Sequence, residues 1–126
     1  MAKFKFGAPP KTFKRTVKFT SVDGVNETLD VTFHFRSRKE YGVFFDSMRS
    51  AAKNKGLDKE DVSMTDVMEI LVGNSGEFML QAIDSWELED ELSEANLDRL
   101  ADQFPGVAAE IMEVYKVACL EGKPGN

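Results

Sequence analysis

Cysteine, histidine and tryptophan each occur only once in these 126 residues, as Cys119, His34 and Trp86. One thiol cannot form an internal disulfide or a cysteine-based zinc site, and it points to a reducing compartment. A nucleophilic cysteine needs a histidine base. His34 lies in a strand-like run and Cys119 in an apolar helical pattern, so Cys119 reads as a buried structural thiol. Long hydrophobic runs are missing as well. Ile70-Leu71-Val72 falls far short of the ~20 residues a membrane span requires. The leading MAKFKFGAPPKTFKR has no apolar central region and no cleavage site, so no secretory signal is expected, and it has too little helical character for a transit peptide. Positive charge is scarce beyond Lys39. Residues 40–126 hold seven Lys/Arg against nineteen Asp/Glu, whereas residues 1–39 hold nine against three. A net charge of −6 thus divides into +6 and −12, an asymmetry suited to a basic arm, to docking on a charged partner, or to head-to-tail contacts between identical subunits.

What is present is enough for one ordinary domain. Apolar residues make up 42% and charged residues 30%, the balance of a soluble globular chain. The expected layout is a single domain over 1–126: a flexible leader (1–10), a β-hairpin (11–36), a helical part (38–120) and a flexible tail (121–126). There is no internal repeat and no low-complexity segment. From Lys11 the pattern has period two. Phe13, Val17 and Phe19 share one side, with Arg15 the odd member, while Thr12, Lys14, Thr16, Lys18 and Thr20 share the other. Turn residues around Asp23-Gly24 follow, and the alternation resumes with Leu29, Val31, Phe33 and Phe35 on one face. Two alternating runs rich in β-branched and aromatic residues around an Asp-Gly predict a hairpin whose apolar face needs cover.

After Lys39 the period becomes helical. Tyr41, Phe44, Phe45, Met48 and Ala52 form one stripe, ended by Gly56. A second helix is expected around Met64, Val67, Met68, Ile70 and Leu71, with Ser63 or Thr65 as its cap. The pattern is interrupted at Gly73-Asn74-Ser75-Gly76 and resumes from Glu77 to Trp86. Ser93 is the natural N-cap of a further helix whose inward side is Leu97, Leu100, Ala101 and Phe104, with Asp98 and Asp102 outward. Pro105-Gly106 ends that helix and opens the last one, striped by Val107, Ala108, Ile111, Met112, Val114, Tyr115 and Ala118. The expected class is α+β: an N-terminal antiparallel hairpin followed by four or five packed α-helices.

Residues 84–105 pose the functional question, because DSWELEDELSEANLDRLADQFP holds eight carboxylates and one cation, Arg99. Glu87, Glu89 and Glu91 alternate like the odd positions of a calcium loop, but no glycine lies between Asp84 and Pro105 for the required central turn. A carboxylate pair for acid/base chemistry needs one acid buried in a cleft, which nothing in the pattern marks. No catalytic, metal or cofactor-binding residue is therefore assigned, and the chain is read as non-enzymatic. Gly73-Asn74-Ser75-Gly76 is not followed by Lys-Ser/Thr, so it is no phosphate loop. Lys14, Lys18, Arg36 and Arg38, with His34, offer a basic hairpin surface for nucleic acid. The aromatic residues fall on the opposite face and the chain is acidic overall, so nucleic acid is not an expected partner. An apolar hairpin face and six methionines suit a protein that holds other proteins.

The order of elements in the C-terminal third is more distinctive than any one of them. A tryptophan in an acidic run (SWELEDELSEANLDRL) precedes FPG, an alanine-rich helix ending in tyrosine (VAAEIMEVYKVA) and a short polar tail. This resembles the tail assembly chaperones of long-tailed bacteriophages and prophages, closely over about residues 80–126 and in style before that. The matching positions are Trp86, Leu88, Leu92, Ser93, Asn96, Leu97, Leu100, Phe104, Pro105, Gly106, Val107, Ala108 and Tyr115, with Leu92 standing where an aromatic is frequent. The resemblance implies a non-enzymatic factor in the cytoplasm of the bacterial host. It would keep the tape measure protein soluble, help recruit the major tail protein, form homo-oligomers, bind no membrane and be absent from the mature virion. Two alternatives stay open: a structural tail component retained in the particle, and a nucleic-acid-binding regulator using the basic hairpin.

Overall fold

The computed structural model describes residues 10–54 and 76–122. Strands β1 (Thr12–Thr20) and β2 (Asn26–His34) form the expected antiparallel hairpin, with Thr12 opposite His34 and Thr20 opposite Asn26. Gly24, at φ 86°, supplies the left-handed residue of the turn. The Ser21 N–H donates to Val25 O at 2.9 Å and the Gly24 N–H to Ser21 O at 2.9 Å, which closes the loop. Helix α1 (Arg38–Asn54) starts with a reciprocal cap: the Glu40 N–H donates to Ser37 Oγ at 3.2 Å and the Ser37 N–H to Glu40 Oε1 at 2.8 Å. That bond from the Ser37 backbone holds the Glu40 carboxyl below its ordinary range. The Gly56 cap, the helix around Met64 to Leu71 and residues 73–75 lie outside the described residues.

Helix α2 (Glu77–Ala82) is shorter than the expected Glu77–Trp86 run. At Ile83 the chain turns extended (φ −98°, ψ 126°) and becomes strand β3 (Ile83–Trp86), which pairs antiparallel with β2. The sheet therefore has three strands in the order β1-β2-β3 rather than two. A hairpin alone would leave the second edge of β2 with unpaired N–H and C=O groups beside the core, and β3 satisfies them. Helix α3 (Glu94–Gln103) begins at Ser93, whose hydroxyl accepts the Asn96 N–H at 3.2 Å as expected. Phe104 separates it from α4 (Pro105–Glu121), which carries Pro105 in its first turn and ends on Gly122 in the left-handed region, φ 69°.

Helix α4 is the centre of the molecule. It packs on β1, α1, α2 and α3, so its apolar residues run round most of its surface: Val107, Ala108, Ile111, Met112, Val114, Tyr115 and Cys119 are all buried. Val17, Leu29, Val31 and Phe33 of the sheet, Tyr41, Phe44 and Met48 of α1, and Phe78 and Met79 of α2 close around it. Each such side chain contributes about 1.5–3 kcal/mol by leaving water. Tyr115 sits at the hub, its ring 5.0 Å from Phe33, 6.1 Å from Phe13, 5.7 Å from Tyr41 and 6.0 Å from Phe44. Among the described residues, no helix is long and apolar enough to cross a membrane.

Candidate functional site

Strand β3 delivers Trp86 opposite Val31, at the point where the acidic run leaves the sheet. That run is held by specific bonds. Asp30 and Glu87 exchange two: the Glu87 N–H donates to Asp30 O at 3.2 Å, and the Asp30 N–H to Glu87 Oε1 at 3.0 Å. The Trp86 indole N–H reaches forward to Asp90 O at 2.8 Å. Asn96 reaches back from α3, its amide N–H donating to Glu91 O at 2.6 Å, while its Oδ1 accepts from Arg99 at 3.1 Å. Trp86 and Asn96 thus clamp the acidic loop from both ends, and the Ser93 cap fixes where the helix begins. These bonds give a physical reason for the W…S-x-x-N spacing: each residue satisfies a backbone group of a loop that has no secondary structure of its own.

With the loop fixed, a groove of about 270 Å³ opens between it, the far end of the hairpin and α3. Leu29, which is buried, and the half-buried Phe19, Trp86 and Leu100 form its floor. Leu88 and Phe104 stand at the edge, 38% and 37% exposed, and are two of the few large apolar side chains on the surface of the described residues. Phe104 meets Phe19 edge to face at 6.1 Å. Glu27, Glu87 and Asp90, all exposed, supply the rim, and Arg99 is the cation among the lining residues. The volume is close to the lower end of the ~300–1,000 Å³ range of ligand-sized clefts. Among the described residues, no group of three His, Cys, Asp or Glu is placed to hold a metal ion.

The motif residues thus separate into two sets. Trp86, Leu88, Asn96, Leu100 and Phe104 line the groove. Leu92 packs half-buried against the core, and Leu97, Val107, Ala108 and Tyr115 are buried within it. Ser93, Pro105 and Gly106 mark helix starts. Of the hairpin face, Val17, Leu29, Val31 and Phe33 are buried, and Phe13 and Phe19 pack partly buried against them. Phe35 is only half-buried, because β2 ends at His34. Two placements differ from the periodicity. Phe104 does not turn inward: α3 ends there, and its backbone at φ −130°, ψ 75° carries the ring to the surface. Asp98 does not face solvent: its carboxylate accepts the Gly76 N–H at the start of α2.

Arg36 differs most from the sequence reading. It leaves the basic set of the hairpin and turns into the core. Its guanidinium lies 4.3 Å from the centre of the Phe44 ring and donates to Tyr115 Oη at 2.7 Å and to Gln81 O at 3.1 Å. Tyr115 in turn donates to His34 O at 2.9 Å. Burial pushes the Tyr115 phenol up to about 12, the bond from Arg36 offsetting part of the effect, and burial also pushes the Cys119 thiol up. On the outer face of the sheet, Lys14 meets Asp30 at 3.6 Å and His34 lies 3.8 Å from Asp84. Carboxylates thus stand beside basic side chains on that face.

A sequence profile of the family described as phage tail assembly chaperone matches residues 1–126, and the chain belongs to that family. The match takes in the front half, where the resemblance was one of style. No curated protein and no solved structure matches the chain.

Proposed function

We propose that this tail assembly chaperone holds the tape measure protein soluble in the cytoplasm of the bacterial host, without catalysis. It then gives way as major tail protein subunits polymerise, and it is absent from the finished particle. The observation that carries this reading is the groove itself. Residues of the family motif build an open apolar surface, with Leu88 and Phe104 presented at its edge and three carboxylates round it. Apolar side chains exposed in this way suit amphipathic segments of a client. The acidic rim keeps the complex soluble and favours clients with basic flanks. Membership of the phage tail assembly chaperone family supports a role in tail assembly.

Co-expression tests the reading. Tape measure protein made with this chain is expected in the soluble fraction, and tape measure protein made alone in the pellet. Equal solubility with and without the chain would end the proposal.

A further inference from the structure

The groove has a complementary sequence within the same chain. Residues 3–6 read Lys3-Phe4-Lys5-Phe6. In an extended conformation such a segment turns both phenylalanines to one side and both lysines to the other. The groove offers the counterpart: an apolar floor of Phe19, Leu29 and Trp86, apolar edges at Leu88 and Phe104, and a rim of Glu27, Glu87 and Asp90. The carboxylates of Glu27 and Asp90 meet no cation among the described residues, and Glu89 and Glu91 of the same loop are exposed beside them. Arg99 is the one like charge the lysines would face among the lining residues.

We propose that the Lys3–Phe6 segment of one copy docks in the Trp86–Phe104 groove of a second copy. Reach favours the second copy over the same one. The groove meets β1 at Phe19, seven residues beyond the start of the strand at Thr12, or about 23 Å at ~3.3 Å per residue. Phe6 precedes Thr12 by six residues, a fully stretched span of roughly 20 Å. Seating both phenylalanines in the same copy would need the whole link drawn straight back along the strand. Docking between copies uses two different surfaces, so it propagates head to tail and gives open chains or closed rings. It also gives the +6/−12 division of the chain a structural use, and it covers Leu88 and Phe104 until a client displaces the segment. The association between copies does not rest on the tape measure reading, because its test uses this chain alone.

Complementary charge reversal tests it in the full chain, with mass followed by light scattering or sedimentation. The wild-type chain is expected to associate with rising concentration, and less so in high salt. The K3E/K5E variant (acidic segment on an acidic groove) and the E27K/D90K variant (basic segment on a basic groove) are each expected to associate at least about tenfold more weakly. Circular dichroism and thermal midpoints should stay close to wild type, which separates the effect from misfolding. Mixing the two variants should restore association, since each then meets a complementary surface. A monomeric wild type, variants that associate as the wild type does, or a mixture no stronger than its parts would overturn the proposal.

Discussion

Two tyrosines lie in contact in the core, and their hydroxyls differ in kind. Tyr115 Oη both donates, to His34 O, and accepts, from Arg36. Tyr41 Oη is buried with no hydrogen-bond partner among the described residues. Removing a bonded buried hydroxyl strands its partners, whereas removing an unpartnered one relieves a desolvation cost. Tyr115→Phe is therefore expected to destabilise the fold by about 1–3 kcal/mol, and Tyr41→Phe to be neutral or stabilising by up to about 1 kcal/mol, in urea titrations. By periodicity alone the two residues are alike, each an aromatic in a helical stripe, although Tyr115 is also a position of the family motif. What distinguishes them is Arg36, which chain pattern assigns to the surface and the fold turns inward over Phe44. Tyr115 also sets a pH limit. Its phenol ionises near 10 when unfolded and at about 12 when folded, so its contribution is complete below pH 10 and is lost as pH rises towards 12. Above pH 10 the thermal midpoint of the wild-type chain should fall more steeply than that of Tyr115→Phe.

At the scale of elements, the hairpin and helices α1, α3 and α4 were legible because each repeats its period over at least nine residues and has a boundary mark: Asp-Gly, the change of period after Lys39, Ser93 or Pro105. Strand β3 was not. Ile83-Asp84-Ser85-Trp86 is too short to show alternation, it follows directly on a helical stripe, and its register shifts opposite Thr32 and Phe33. Its existence is decided by the open edge of β2, a tertiary cause. The same holds for the groove. Its loop and α3 side could be read from the motif, but Glu27 and Thr28 join it only because the fold brings the hairpin end alongside that loop. Gly76 is a further position that pattern treats as a loop residue. It is buried, and a Cβ there would lie 2.6 Å from Leu97 Cβ and 2.7 Å from Glu94 O, so α2 and α3 meet at this point. Gly76→Ala is expected to cost about 1–3 kcal/mol. Gly42→Ala, in α1 with open space around it, should instead stabilise by about 0.5–1 kcal/mol. If both variants melt with the wild type, the close approach of α2 and α3 is not as described.

For the whole molecule, the distribution of charge and the placement of apolar surface belong together. Apolar side chains that reach solvent beside the acidic loop do so at one groove, and most of the carboxylates that made the segment look like a reactive cluster surround that groove or face water. Glu27, Glu87 and Asp90 border exposed apolar surface. The groove is the proposed surface on which the chaperone holds its client. The most direct measurement is binding of purified tape measure protein segments to the wild-type chain and to the Leu88→Asp/Phe104→Asp variant, with cooperative unfolding of the variant checked first. Because both side chains stand more than a third exposed, the variant is expected to remain folded while its affinity falls by tenfold or more, about 1.4 kcal/mol or greater. A folded variant that binds the client as tightly as the wild type would contradict the assignment and place the client surface elsewhere on the molecule.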